Sequence, residues 1–238
     1  RLSLTAWALG CSALAAFVVA IIHTAAGLFG PASALAPFLR GFGGNVEVVL
    51  VDLIWFAFAQ MLIAVLAITY VSRWSDDDTS GWLAVQLAQP VSRLAVTAER
   101  MTELLIVITA VSGLSSVVVL LVAAANHITL SPRNVAVATA LLIPFGMTFA
   151  AAGATLGGWR PRIAVGVLST VAVLSYLLFQ LAPTFRWPSW ASDLSVFQLY
   201  GTPLINGVFI GGLVAMLAIC VVGFPAAAVL MLRRDVAH

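Results

Sequence analysis

The stretch MTELLIVITAVSGLSSVVVLLVAAA, Met101–Ala125, carries one charge, Glu103, near its start. A helix rises about 1.5 Å per residue, so crossing a hydrocarbon core of about 30 Å takes roughly 20 apolar residues. The stretch exceeds that length. It shows no alternation of polar and apolar residues, which argues against a barrel strand. It reads as a membrane-spanning helix, and five further segments read the same way: Leu4–Phe29, Val48–Val71, Asn134–Trp159, Ile163–Pro183 and Gly207–Leu232.

The whole composition agrees. Of 238 residues, 62% are hydrophobic and 8% charged, against roughly 45–50% and about 25% in soluble domains. So little charge could not cover the surface of a soluble fold, and the bilayer must solvate most of the chain. The expected fold is an all-α integral membrane bundle of six spans forming a single domain, residues 1–238. A net charge of +2 gives no footing for a nucleic-acid partner. Cys11 and Cys220 sit inside apolar runs and read as small buried hydrophobes. The chain opens on Arg1 rather than methionine, which leads us to expect sequence upstream.

Every basic side chain except histidine is arginine, and the arginines set an expected orientation. With the amino end in the cytoplasm, eight lie inside (Arg1, Arg73, Arg93, Arg100, Arg160, Arg162, Arg233 and Arg234) and three outside (Arg40, Arg133 and Arg186). Both ends are then cytoplasmic in a multi-pass protein of the cell (inner) membrane. Of the connections, Pro31–Glu47 reads as irregular. The segment Phe185–Asn206 carries Phe185, Trp187, Trp190, Phe197 and Tyr200, an aromatic density suited to a membrane–water interface. Short helices lying at or dipping into the outer leaflet are expected there. Pro144 and Pro225 interrupt the fourth and sixth spans and are expected to kink them.

Charges deep in a bilayer cost about 2.5–3.5 kcal/mol on insertion scales, so those present usually have a role. Here the deep parts of the spans carry none. His23, Asp52 and Glu103 fall near span ends and read as interfacial residues or hydrogen-bonded neighbours. There is no Gly-rich phosphate loop and no metal-ligand cluster in the sequence. Energy for any transport must come from another polypeptide or another part of the chain.

Between the second and third spans lies Ser75-Asp76-Asp77-Asp78-Thr79-Ser80-Gly81-Trp82-Leu83-Ala84-Val85-Gln86-Leu87-Ala88-Gln89-Pro90-Val91-Ser92-Arg93. It reads as a short helix: Thr79 or Ser80 can cap it, the three aspartates favour its positive pole, and Pro90 ends it. Ser92 can cap the helix that continues into the third span. Trp82, Leu83, Val85 and Leu87 are too apolar to face water. Two coverings are open on physics alone, the lipid interface or a docked partner.

This segment resembles the loop between the second and third spans of ABC-2-type permeases, the membrane subunits of ATP-binding-cassette exporters. Asp77, Asp78, Gly81, Leu87, Pro90, Val91, Ser92 and Arg93 match that pattern, with Asp in place of the usual Glu. Trp190 through Tyr200 is similar to the family's Trp, Leu-Ser-Pro-Phe and Tyr segment before the last span, with Val196 replacing Pro. Leu232-Arg233-Arg234-Asp235-Val236 resembles its closing Arg-Arg-Asp-Leu. The flavour is nearest to actinobacterial antibiotic (tetronasin-type) exporters.

The resemblance implies a six-helix bundle of the ABC-2 (type V exporter) kind, with a cytoplasmic coupling helix in residues 75–93 and short outer re-entrant helices in an outer gate loop, 185–206. It implies ATPase docking through Asp77, Asp78, Gly81, Trp82, Leu83, Leu87, Pro90, Val91, Ser92 and Arg93, and an outer gate including Trp190, Phe197 and Tyr200. The implied partners are an ABC ATPase subunit holding ATP and Mg, a second six-span unit (the same chain, a homologue or a fused half) and membrane lipid. The chain itself would bind no cofactor and no metal and perform no catalysis. The implied activity is export of a hydrophobic or amphiphilic drug, antibiotic or lipid-like substrate, through a path lined mainly by the second and fifth spans. The competing readings are an ATP-independent channel or secondary transporter, and a non-transporting membrane protein.

Overall fold

The computed structural model describes residues 2–28, 46–79, 93–185, 187–188, 190 and 193–233. They form six long helices, and no strand occurs among them. We label them α1 (Leu2–Leu28), α2 (Val46–Leu50, Val51–Phe56 and Ala57–Thr79 in one run), α3 (Arg93–Ala125), α4 (Pro132–Trp159), α5 (Pro161–Thr184) and α6 (Ile210–Arg233). All six are long and apolar enough to cross a membrane. The chain is a multi-pass membrane protein.

The helices outrun several of the expected spans. The second reaches from Val46 to Thr79, and the third starts at Arg93 rather than Met101. Hydropathy marks only the part of a helix that needs lipid. The polar turns Ser72–Thr79 and Arg93–Arg100 carry on in helical geometry beyond it. The sixth helix starts later than expected, at Ile210. Gly207 has φ +74°, which right-handed helix does not allow. Pro144 and Pro225 both lie inside unbroken helices. Residues 29–45, most of the connection read as irregular, lie outside the described residues.

α4 is the hub, packing against α2, α3, α5 and α6, while α1 lies against α3. The most apolar window of α4 is 61% buried within the bundle, against 17% for that of α6. Close approach explains this. A side chain on Gly153 would overlap Val71 and Leu168, and one on Gly146 would overlap Ile63 and Ile108. The Thr155 hydroxyl donates both to Ala151 O in its own helix (2.8 Å) and to Gly223 O of α6 (3.0 Å). Small residues that let backbones meet are how helices associate in lipid. Large apolar side chains such as Phe17, Leu121, Leu174 and Val221 point outward, as a lipid-facing surface requires.

The α3–α4 turn ends α3 with a left-handed residue that is not glycine. His127 has φ 58°, while Ile128 N–H reaches Ala123 O (2.8 Å) and His127 N–H reaches Ala124 O (3.2 Å). This is the paired-bond helix ending that glycine usually fills. A left-handed residue with a Cβ costs roughly 1–2 kcal/mol, partly offset by the extra freedom glycine brings to the unfolded chain. His127→Gly is therefore expected to raise the thermal unfolding midpoint in detergent; an unchanged or lower midpoint would contradict the strain.

Candidate functional site

Two ends of the bundle differ in chemistry. One, the arginine end, carries Arg73, Arg100 and Arg160 and the connection between α2 and α3. The other, the loop end, carries the described residues 193–209 that lead into α6.

At the loop end, α2 widens into π-helix over Val51–Phe56, which puts Val51, Asp52, Trp55 and Phe56 on its buried face. Such wide turns concentrate at functional positions. Asp52 is 4% exposed, and its Oδ2 accepts from the backbone N–H groups of Leu204 (3.2 Å) and Ile205 (3.3 Å). Its Oδ1 has no partner among the described residues. The carboxyl thus latches α2 to the loop preceding α6.

The rest of that loop is pinned by its own side chains. The Ser195 hydroxyl donates to Ser175 O of α5 (2.7 Å) and accepts from Phe197 N–H (3.2 Å), which caps the 3-10 turn Val196–Leu199. Phe197 is fully buried, its ring 5.3 Å from those of both Phe145 and Tyr176. The Tyr200 hydroxyl donates to Ala138 O of α4 (2.9 Å), and its ring stacks on Phe56. Burial first, and the Asp52 carboxyl second, push the Tyr200 phenol well up, so it stays protonated and able to donate. Gly201, φ +70°, then reverses the chain. α6 passes so close that a Cβ on Gly212 would overlap the Leu199 carbonyl.

The expected gate residues therefore separate. Phe197 and Tyr200 are sunk in the bundle as anchors, whereas Trp190, like Phe185 and Trp187, is exposed. Among the described residues of this loop, the multi-residue helical element is the turn Val196–Leu199; residues 186, 189, 191 and 192 lie outside them.

Along the side of the bundle, α2 and α5 border an open groove of about 360 Å³. Its long part is apolar, with Met61, Val65 and Ile68 facing Val165 and Val173. On α2 its hydroxyls and its one charge, Thr69, Ser72 and Arg73, lie toward the arginine end, while Ser169 falls between Val165 and Val173 along α5.

At the arginine end Asp77 of α2 lies 3.8 Å from Arg100 of α3. The pair bridges the two helices flanking the 80–92 segment, with the Arg100 side chain largely buried and Asp77 half open to solvent. Of the expected docking residues, Asp78 lies in the last turn of α2 and Arg93 starts α3. Gly81, Trp82, Leu83, Leu87, Pro90, Val91 and Ser92 lie outside the described residues.

The other residues singled out in the sequence do not converge. His23 Nδ1 faces Glu47 Oε1 at 3.3 Å, and Glu103 is exposed. Among the described residues no group of three or more His, Cys, Asp or Glu could hold a metal. Cys11 is buried, Cys220 is half-buried, and both are free thiols. Sequence reasoning placed Ser195 in the motif before the last span without giving it a role, and it missed the loop partners of Asp52. The available signal was a serine directly before a short turn, a common capping position.

A family model described as the C-terminal domain of the multidrug efflux system permease Rv1217c matches residues 1–233 of the chain. No curated protein matches it.

Proposed function

The chain belongs to this family of multidrug efflux permeases, and from that premise we propose that it is the membrane-spanning half of an ATP-driven exporter. The arginine end faces the cytoplasm. There a partner ATPase, carrying ATP and Mg, docks on the coupling segment 75–93. A second six-span unit faces the α2–α5 groove, and amphiphilic substrate passes between the two. The loop end faces outward, and the segment 185–206 forms the exit gate, anchored in the bundle through Ser195, Phe197 and Tyr200.

One observation carries this reading: α2 runs without a break from Val46 to Thr79, through the wide turns Val51–Phe56. It holds the Asp52 latch at one end, borders the groove along its middle, and leads into residues 75–93 at the other. At about 1.5 Å per residue such a helix spans about 50 Å, well beyond a core of about 30 Å. A push on its cytoplasmic end would reach both the groove and the gate as one rigid-body motion.

The topology is tested by single cysteines in intact cells. A cysteine at Trp190 is expected to react with a membrane-impermeant maleimide, and one at Asp77 only after the membrane is opened. Labelling of Asp77→Cys from outside would invert the arrangement.

A further inference from the structure

Arg73 occupies an unusual place in the groove. Its guanidinium lies 5.2 Å from the centroid of the Tyr70 ring. Tyr70 is itself buried, 4% exposed, so the cation rests on a fixed platform. Among the described residues the ion pairs are His23–Glu47 and Arg100–Asp77, neither of which engages Arg73, and no carboxylate lines the groove. Thr69 and Ser72, within about one turn of Arg73 on α2, and Ser169 of α5 also line the groove, the Thr69 hydroxyl donating to Val65 O of its own helix (2.8 Å). From Met61 to Arg73 the α2 wall extends about 18 Å at 1.5 Å per residue, and its part nearer Met61, with Val65 and Ile68, is apolar. The volume of about 360 Å³ falls within the roughly 300–1,000 Å³ of small-molecule sites.

We propose that the α2–α5 groove selects amphiphiles bearing an anionic head, with Arg73 holding the carboxylate, sulfonate or phosphate and the apolar body lying along Met61, Val65, Ile68 and Val173. A planar guanidinium offers paired donors that match such heads, and it keeps its charge at any working pH. The positive charge of Arg73, exposed at the groove, attracts such a head and leaves a cationic amphiphile at a disadvantage. The inference rests on reading the groove as the substrate path. Its chemistry could be met by exported cargo or by a resident anionic phospholipid, and the proposal is that the occupant is cargo.

The test uses the whole permease with its ATPase, reconstituted in phosphatidylcholine vesicles, and two fluorescent probes of equal chain length, a dodecyl sulfonate and a dodecyl trimethylammonium. Arg73→Gln is expected to weaken sulfonate binding and ATP-dependent export about tenfold or more, the scale of one charge-assisted contact. The trimethylammonium probe should be unaffected or favoured. Arg73→Lys should keep the preference for the sulfonate over the trimethylammonium probe but bind the sulfonate more weakly than Arg73 does, because an ammonium lacks the paired donors. Val173→Trp, at an exposed position on the groove wall, should weaken both probes. Equal loss of both probes in Arg73→Gln, or loss of neither, overturns the charge selection while a blocking effect of Val173→Trp leaves the path standing. If Val173→Trp changes neither probe, the groove is not the path and the underlying reading fails. Enrichment of added phosphatidylglycerol that depends on Arg73, without sulfonate export, identifies a resident lipid and overturns the assignment to cargo.

Discussion

Trp82→Ala and Leu87→Asp are expected to strip the ATPase from the permease and abolish export, while the six spans still insert. The argument begins in composition. The segment between α2 and α3 carries Trp82, Leu83, Val85 and Leu87 at the end of the bundle where arginines collect, and an apolar surface of that kind must be covered. Its pattern resembles a known docking element, and the chain belongs to a permease family. Truncating a central aromatic of a docked surface typically costs 2 kcal/mol or more, or about thirtyfold in affinity at roughly 1.4 kcal/mol per decade. A carboxylate in place of Leu87 should cost more, because it must be desolvated on docking. Co-purification of the ATPase and substrate-stimulated hydrolysis are the measurements. Wild-type values for both variants would mean the segment lies on lipid, and the coupling role would be lost. Arg93→Glu adds a finer reading: rescue by a reversed charge on the ATPase places Arg93 across the interface, whereas rescue within Asp76–Asp78 places it in an internal pair.

Asp52→Ala is expected to free the loop before α6 and make the protein leak. The carboxyl is the acceptor for two backbone donors, Leu204 N–H and Ile205 N–H. Each buried donor left without a partner costs about 1–3 kcal/mol, a large fraction of the stability of one loop. Phe197 and Tyr200 would remain anchored through α4 and α5, so the damage should be confined to the stretch around Leu204. Asp52→Asn keeps an acceptor oxygen at the same reach and should preserve most of the closure. A cysteine at Leu204, 8% exposed in the intact protein, should become reactive to a hydrophilic maleimide in Asp52→Ala and stay protected in Asp52→Asn. Release of a preloaded dye from vesicles should follow the same order. Continued protection of Leu204 in Asp52→Ala, with no leak, would show that the latch is dispensable.

Six membrane helices could be read from the chain by itself, because the length of an apolar run is a local property. Each of Leu4–Phe29 through Gly207–Leu232 announces its need for lipid without reference to any other segment. The expectation of a coupling segment at 75–93 rests on signals just as local, its candidate caps, its proline and its apolar side chains, and most of those residues lie outside the described ones.

Burial was not legible. The hydropathy of α6 is 2.6 and that of α4 is 2.0, yet α4 is the helix that the bundle covers, 61% buried against 17%. In a soluble protein the more apolar element would be expected inside. In a membrane, lipid tails are as apolar as leucine, so hydrophobicity does not separate inward from outward faces. Close packing does, through small residues such as Gly146 and Gly153. Whether those glycines meet Ile63, Ile108, Val71 and Leu168 depends on where the other helices lie. The loop end follows the same logic. Read along the chain, Phe197 and Tyr200 look like interfacial aromatics beside Trp190, and Asp52 looks like an ordinary span-end carboxyl. The tertiary structure sinks the two rings among Phe145, Tyr176 and Phe56 and brings Asp52 to a backbone donor 152 residues away in sequence. Only the folded bundle creates that neighbourhood, because a hydrogen bond between distant segments leaves no periodicity in either one.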